Sequence, residues 1–103
     1  MPALAVEISR FVDDHFPGFV ECVLVDALGV RHLFIEKSPV VSTESLLSTT
    51  SYPRSGTIPC EVQEEWQDLD GRSLVQVTTE RPFGVESTSG QSRFVVLSSL
   101  LAL

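Results

Sequence analysis

The chain has 103 residues, of which 43% are hydrophobic, and a formal net charge of −7 at pH 7. This length suits one domain with one hydrophobic core, so a single domain over 1–103 is predicted. Nucleic acid and anionic membranes are disfavoured as partners because they would repel an acidic surface, whereas a basic protein would suit it.

The beginning of the chain does not resemble a secretion signal, because four charged residues interrupt its apolar stretch: Glu7, Arg10, Asp13 and Asp14. No apolar segment reaches the roughly 20 residues that a membrane-spanning helix needs. These features predict a cytoplasmic protein. Cys22 and Cys60 are then expected to be buried thiols, and a disulfide between them is the alternative.

The first predicted element is an amphipathic helix over about 3–16. Apolar residues recur there in steps of three and four: Leu4, Ile8, Phe11, Val12 and Phe16. That spacing places them on one side of a helix. Pro17 and Gly18 should end the helix, because proline cannot continue its hydrogen-bond ladder.

A hairpin is predicted over 19–37, with a turn at 26–29. A four-residue turn would place Cys22 opposite Leu33 and would give one apolar face. This face would consist of Val20, Cys22, Leu24, Leu33 and Ile35. The residues that follow, 38–56, are rich in Ser, Thr and Pro and predict a long loop, in which Ser42 or Thr43 begins at most one helical turn.

A second hairpin is predicted over 57–80, and its first strand alternates in hydrophobicity. Trp66 is expected on the same side as Val75 and Val77. Glu64 falls on that side too, where an ionised carboxylate would need a partner or a raised pKa. The alternative is a β-bulge at 63–65 that turns Glu64 outward and keeps Trp66 inside.

The last hairpin is predicted over 83–97, with Glu86 opposite Arg93. The apolar tail, 98–103, should pack as a helical turn or a strand extension. Together these elements predict an α+β fold, in which the N-terminal helix packs on a strongly curved antiparallel sheet of about six strands, a half-open barrel. Two small packed sheets are the alternative.

No motif for a cofactor or a metal is present. The cysteines lack the short spacing of a zinc site, and the six glycines are isolated, so no phosphate-binding loop occurs. Asp68 and Asp70 resemble the start of a calcium loop, but the later oxygen ligands are missing. Neither a cofactor nor a metal is therefore expected.

The sequence favours a small binding protein without catalytic activity, of the kind that neutralises a basic toxin or enzyme. Its predicted binding residues are Glu61, Glu65, Asp68, Asp70 and Tyr52. The alternative is a small-molecule pocket or minor enzyme inside the curved sheet that uses Glu64 and His32. A homodimer that associates through the loop 38–56 or the apolar tail is a third hypothesis.

Overall fold

In the computed structural model, residues 1–102 form two antiparallel sheets, and Leu103 lies outside the described residues. The chain also contains a short helix, α1 (Ser38–Val41), and a 3-10 turn at Ser98–Leu100. The strands are β1 (Ala3–Asp13), β2 (Phe19–Val25), β3 (Arg31–Lys37), β4 (Arg54–Pro59), β5 (Glu61–Gln67), β6 (Ser73–Thr78), β7 (Arg93–Leu97) and β8 (Leu101–Ala102).

The larger sheet has the strand order β3-β2-β1-β4, and β8 also pairs with β1. The smaller sheet has the order β5-β6-β7. Within residues 1–102 neither sheet closes into a barrel, so two small sheets, the alternative arrangement, describe the fold better. One core joins them, with contributions from Leu4, Ile8, Val20, Cys22, Leu24, Phe34 and Ile58 in the larger sheet and from Val75, Val77, Phe94 and Val96 in the smaller.

The predicted N-terminal helix is wrong, and the α+β class and the half-open barrel are wrong with it. Residues 3–13 form β1, in which Leu4, Val6 and Ile8 are buried in alternation. The register with β2 shifts between Ile8 and Arg10. This bulge adds one residue, so Ile8 and Phe11 both face the core at a spacing of three, which imitates a helix.

The strands β2 and β3 form the hairpin over 19–37, but the predicted register is wrong. The turn has five residues, 26–30, so Cys22 lies opposite Phe34 instead of Leu33. A shift of one residue exchanges the two sides of a strand. Phe34 is therefore fully buried, whereas Leu33 and Ile35 are each 40% exposed on the other side of β3.

The same five-residue turn occurs three times, at 26–30, 68–72 and 87–91. In each turn the first residue donates its backbone N–H to the carbonyl of the fifth residue, and its own carbonyl accepts from the amide of the fourth, all at 2.8–3.0 Å. The fourth residue is a glycine with φ near +80°: Gly29, Gly71 and Gly90. Glycine adopts this conformation without steric cost, so the Gly positions fix the turns.

The alternating stretch 57–66 is not one strand. It divides at Cys60, where β4 of the larger sheet ends and β5 of the smaller sheet begins. The Cys60 amide donates to the Pro2 carbonyl at 3.0 Å, outside both ladders. Residues 57–59 therefore pair with β1, and only β5 and β6 form the central hairpin.

The predicted hairpin over 83–97 is also wrong, because 83–87 is not a strand and β7 pairs with β6. The segment between β6 and β7 is instead a loop, which Thr79 holds closed. The Thr79 amide donates to the Ser92 carbonyl at 2.8 Å, and its hydroxyl donates to the Val85 carbonyl at 2.7 Å. Glu86 and Arg93 are consequently not cross-strand partners.

The connection 38–53 runs from β3, at one edge of the larger sheet, to β4 at the other. Its helical turn is α1, four residues earlier than the predicted start at Ser42, and Val41 and Leu46 anchor the connection in the core. Among residues 1–102, no helix has the length and apolar character needed to cross a membrane.

Candidate functional site

A β-bulge in β5 determines which side chains the smaller sheet presents to solvent. Val62 lies opposite Val77, but Glu64 lies opposite Gln76, so Gln63 is the extra residue. Every residue after the bulge changes side relative to the simple alternation. Glu64 is exposed as a result.

The bulge also corrects the placement of Trp66. This residue lies opposite Leu74, not on the side that carries Val75 and Val77. The expectation that a bulge would release Glu64 and leave Trp66 inside is wrong, because a one-residue shift moves both. Glu64 and Trp66 therefore point to the same side, away from the core.

We call this side of the smaller sheet the outer face. It consists of three rows of cross-strand neighbours: Trp66, Leu74 and Leu97; Glu64, Gln76 and Val95; Glu61, Thr78 and Arg93. The residues that alternate with them on β6 and β7 belong to the core. The outer face thus has an acidic border on β5, an apolar row at one end, and a basic residue on β7.

The apolar row is packed although it lies outside the core. Leu74 is only 7% exposed, and Trp66 and Leu97 flank it on the neighbouring strands. Beside this row, the Gln76 side-chain amide donates to the Gln63 oxygen at 3.0 Å. That hydrogen bond ties the bulge residue to β6 and holds the outer face in place.

The acids of β5 are not tied to cations of the chain. Glu61, Glu64 and Glu65 are exposed, and none of them forms an ion pair within residues 1–102. The bulge separates two acids that were predicted to bind the same partner. Glu61 is on the outer face, whereas Glu65 lies opposite Val75 on the other side of β5.

The acids of the turn 68–72 differ from one another. Asp68 accepts a hydrogen bond from the Arg72 side-chain Nε at 2.7 Å and from the Arg72 amide at 2.9 Å. These hydrogen bonds lower the pKa of Asp68, and the one from the guanidinium has the largest effect. Asp68 therefore holds the turn together, while Asp70 is exposed at its tip.

Tyr52 lies apart from these acids. It belongs to the connection 38–53 and packs partly buried against the shared core. Its hydroxyl donates to the Leu47 carbonyl at 2.8 Å, which closes a local loop. The structure does not bring Tyr52 onto the outer face.

His32 and Glu64, the residues of the predicted pocket, are not brought together. Glu64 lies in solvent on β5, whereas His32 is on β3 of the other sheet. The His32 Nε2 atom is 2.8 Å from the Asp26 Oδ2 atom, and the imidazole meets the Phe94 ring edge-on at 5.0 Å between centroids. His32 thus joins the turn 26–30 to the smaller sheet.

Asp26 organises that turn. Its Oδ1 atom accepts hydrogen bonds from the amides of Leu28 at 2.9 Å and Val30 at 3.0 Å. Burial opposes ionisation of Asp26, but the hydrogen bonds from His32, Val30 and Leu28 outweigh it. The pKa of Asp26 is lowered as a result.

The lowered pKa predicts a pH-dependent role for Asp26. An acid whose pKa is lower in the folded state stabilises the fold above its unfolded pKa, about 4, and loses that contribution as the pH falls through the folded value. We expect Asp26→Asn to lower the free energy of unfolding by about 1–2 kcal/mol at pH 7. Urea titrations of both proteins between pH 7 and pH 2 should show this difference shrinking below about pH 4. A difference that stays constant with pH would contradict the assignment.

Cys22 and Cys60 are free and buried in the core. Burial raises the pKa of the Cys22 thiol to about 12 and that of Cys60 to about 11. A thiol attacks or binds a metal as the thiolate, so these values describe packing residues rather than nucleophiles.

One cluster could offer ligand atoms to a metal. The side chains of Asp13, Asp14 and His15 bring theirs within 4.8 Å of one another at the exposed end of β1. The Asp13 Oδ1 atom already accepts the His15 amide hydrogen at 2.8 Å. The hydrogen bond from the His15 amide, and then the one between the two side chains, lower the pKa of Asp13, and the side-chain hydrogen bond raises the pKa of His15. Two of the three residues, Asp13 and His15, are thus already bonded to each other.

The outward position of Trp66 and the place of Arg93 on the same face were not predicted from the sequence. The available signal was the run Gln63-Glu64-Glu65, in which three polar residues in succession break the alternation of β5. A break of this kind indicates a bulge, and it fixes the side of every later residue. Comparison of the chain with protein-family models, with curated proteins and with solved structures gives no match.

Proposed function

We propose that this chain is a protein-binding domain that docks a basic protein partner on the β5 border of the outer face. The observation that supports this function is the bulge at Gln63, because it places Glu61, Glu64 and Trp66 on one solvent-facing side. Acidic side chains beside a large aromatic one form a surface that a cationic partner would fit.

The first support for this proposal comes from the acids of β5 and from the net charge of the chain. The acids of β5 have no ion-pair partner within residues 1–102, so a cation from another protein can reach them without displacing one. The whole chain carries a net charge of −7, which attracts a basic partner over a longer range. Such complementarity raises association rates and disfavours acidic competitors.

Trp66 supplies the apolar part of the proposed contact. Tryptophan is enriched among the residues that dominate binding energy at protein interfaces. The side chain is supported by Leu74, its cross-strand neighbour, and remains partly exposed. A partner residue placed on Trp66 would therefore bury apolar surface on a support that is already packed.

The edge of β5 favours docking through side chains over strand addition. β5 is an edge strand, but its bulge interrupts the regular ladder and its side chains are acidic. Bulges and charges at an edge oppose pairing with another strand. The partner is thus expected to contact the outer face rather than to extend the sheet.

The proposal includes a cytoplasmic location, which two free, buried cysteines support because cytosolic thiols stay reduced. An immunity- or inhibitor-type protein that neutralises a basic toxin or enzyme is the most concrete version of this function. It rests on size, charge and the position of the acids.

A charge-neutralised variant tests the proposed function. The variant Glu61→Gln/Glu64→Gln/Glu65→Gln neutralises the two acids of the outer face and also Glu65 on the other side of β5. We expect it to bind its partner at least about tenfold more weakly than the unchanged chain, because it loses the complementary charge. The measurement begins with capture from extract of the native cell on the immobilised protein. The dissociation constant of each retained protein is then measured against both variants at low and high salt.

A second triple variant provides the matched control. Glu7→Gln/Glu80→Gln/Glu86→Gln removes the same charge from three other exposed acids. If the position of the acids determines binding, the dissociation constant of this variant for the partner should stay within about twofold of that of the unchanged chain. If both triple variants bound the partner equally weakly, only the net charge would matter. If the β5 triple variant bound it as tightly as the unchanged chain, the proposed surface would be refuted.

A further inference from the structure

A cavity of about 520 Å³ lies between the turn 26–30 and the β7 side of the outer face. Its size is within the range of small-molecule sites, about 300–1,000 Å³. Its lining includes Leu28, Arg72, Leu74, Gln76, Arg93 and Val95. The cavity is separate from the acidic β5 border.

The cavity walls are held by hydrogen bonds between the two sheets. The Ala27 amide donates to the Val95 carbonyl at 2.9 Å, so the turn is attached to the edge of β7. Arg72 donates to the Ala27 carbonyl from its Nη1 atom at 3.2 Å and to Asp68 from Nε at 2.7 Å. A site that is already formed loses little free energy to ordering when a ligand enters.

Two guanidinium groups line this cavity, and they differ in what they can offer. Arg72 is fixed by its hydrogen bonds to Asp68 and Ala27. A guanidinium has five N–H donors, so Arg72 keeps further donors that can bind a ligand. Arg93 is exposed, and its guanidinium forms neither an ion pair nor a hydrogen bond with any residue of 1–102; only its backbone carbonyl accepts from the Gln91 side chain, at 2.8 Å. Its planar group is therefore available for a bidentate contact with an anion.

Apart from Asp26, whose carboxylate oxygens are engaged by Leu28, Val30 and His32 within the chain, the remaining lining is apolar or amide. Leu74 and Val95 are neighbours on the outer face, and Leu28 is exposed on the turn above it. A ligand that covered these side chains would remove apolar surface from water. The site thus combines a surface for a short hydrocarbon chain with a cation at its margin.

We propose that this cavity binds a small amphipathic carboxylate, with the carboxylate on Arg93 and the hydrocarbon part on Leu74 and Val95. A carboxylate matches the fork of a guanidinium, because its two oxygens can accept two parallel N–H bonds. This inference goes beyond the proposed protein-binding function and depends on a different charged residue, Arg93 instead of the acids of β5.

Octanoate is the test probe, and octanol and octylamine are its neutral and cationic counterparts of equal chain length. Binding is followed in ¹H–¹⁵N spectra of the full chain, with the amides of Ala27, Gln76 and Val95 as reporters. We expect saturable shifts at these amides with octanoate. Octanol should bind about tenfold more weakly, and octylamine more weakly still, because neither can pair with Arg93.

Three variants make the result specific. Arg93→Gln should weaken octanoate binding about 10- to 100-fold, the loss of a charged hydrogen bond. Arg93→Lys should weaken octanoate binding less than Arg93→Gln does, since a lysine keeps the positive charge but lacks the bidentate geometry of a guanidinium. Arg81→Gln removes an equal charge from an exposed arginine outside this cavity and should change nothing.

The outcomes separate clearly. Absence of octanoate binding, equal binding of octanol, or an unchanged affinity in Arg93→Gln would each overturn the proposal. The two proposals can also fail independently, because Arg93→Gln leaves the acids of β5 in place and the β5 triple variant leaves Arg93 in place.

Discussion

Phe34→Ala is expected to lower the free energy of unfolding by about 3–5 kcal/mol, the usual cost of removing a buried aromatic ring. Phe34 is fully buried in β3, opposite Cys22, and its ring lies 5.6 Å from that of Phe94 in the smaller sheet. The pair therefore packs one sheet on the other. Domains of this size are stable by only about 5–15 kcal/mol, so the variant should be close to unfolding at 37 °C.

Phe16→Ala is the matched control for Phe34→Ala. It makes the same chemical change at a ring that is 97% exposed, and we expect an effect within about 0.5 kcal/mol. Urea unfolding followed by far-ultraviolet circular dichroism measures both. Similar effects for the two variants would contradict the position of Phe34 between the sheets and, with it, the register of β2 and β3.

Gly56→Val is expected to cost about 3 kcal/mol, the upper part of the usual range for overpacking. A Cβ atom at Gly56 would lie 2.6 Å from the Ile8 Cδ1 atom and 3.0 Å from the Val41 carbonyl oxygen. The side chain of Ile8 is fully buried and the oxygen belongs to α1, so neither neighbour can move freely. Gly56 allows α1 and β1 to approach β4 closely.

Two further variants test this explanation. Ser55→Val places the same side chain one residue earlier, where Ser55 is exposed on the other side of β4, and should change stability by less than about 0.5 kcal/mol. Ile8→Ala should relieve part of the clash, so the double variant Ile8→Ala/Gly56→Val should lose less stability than the sum of the single losses. Additive losses would show that Ile8 is not the obstacle.

Local turn chemistry is the part of this fold that the sequence predicts well. Asp26 and Asp68 each precede a glycine by three residues, and both pairs form the turns expected from them. What the glycines do not reveal is that each turn has five residues instead of four. That one residue moved Phe34 into the core and Leu33 and Ile35 out of it.

Bulges account for the larger errors, because hydrophobic periodicity assumes a regular strand. In β1 the extra residue near Ser9 gives the apolar residues Ile8 and Phe11 a helical spacing. In β5 the extra residue Gln63 moves Trp66 to the outer face. Both patterns are strand patterns with one residue inserted, and a single sequence does not show where a partner strand tolerates the insertion.

The candidate site was predictable only in part. The exposed acids Glu61 and Glu65 follow from composition and alternation, whereas the grouping of Glu61 with Glu64 and Trp66 depends on the bulge. The cavity beside Arg93 could not be predicted, because it depends on the turn 26–30 of one sheet reaching β7 of the other. Contacts between distant segments leave no local pattern.

The pairing of β8 with β1 has a consequence for how the protein folds. Ala3 lies opposite Ala102 and Leu4 opposite Leu101, so this ladder joins two segments that have β2 to β7 between them in the sequence. Contacts of such high sequence separation slow folding, since a large loop must close before they can form. During synthesis on the ribosome, β1 can meet β2 and β4 early, but its β8 neighbour emerges only after β5, β6 and β7. The larger sheet is therefore completed only after the whole smaller sheet has been made.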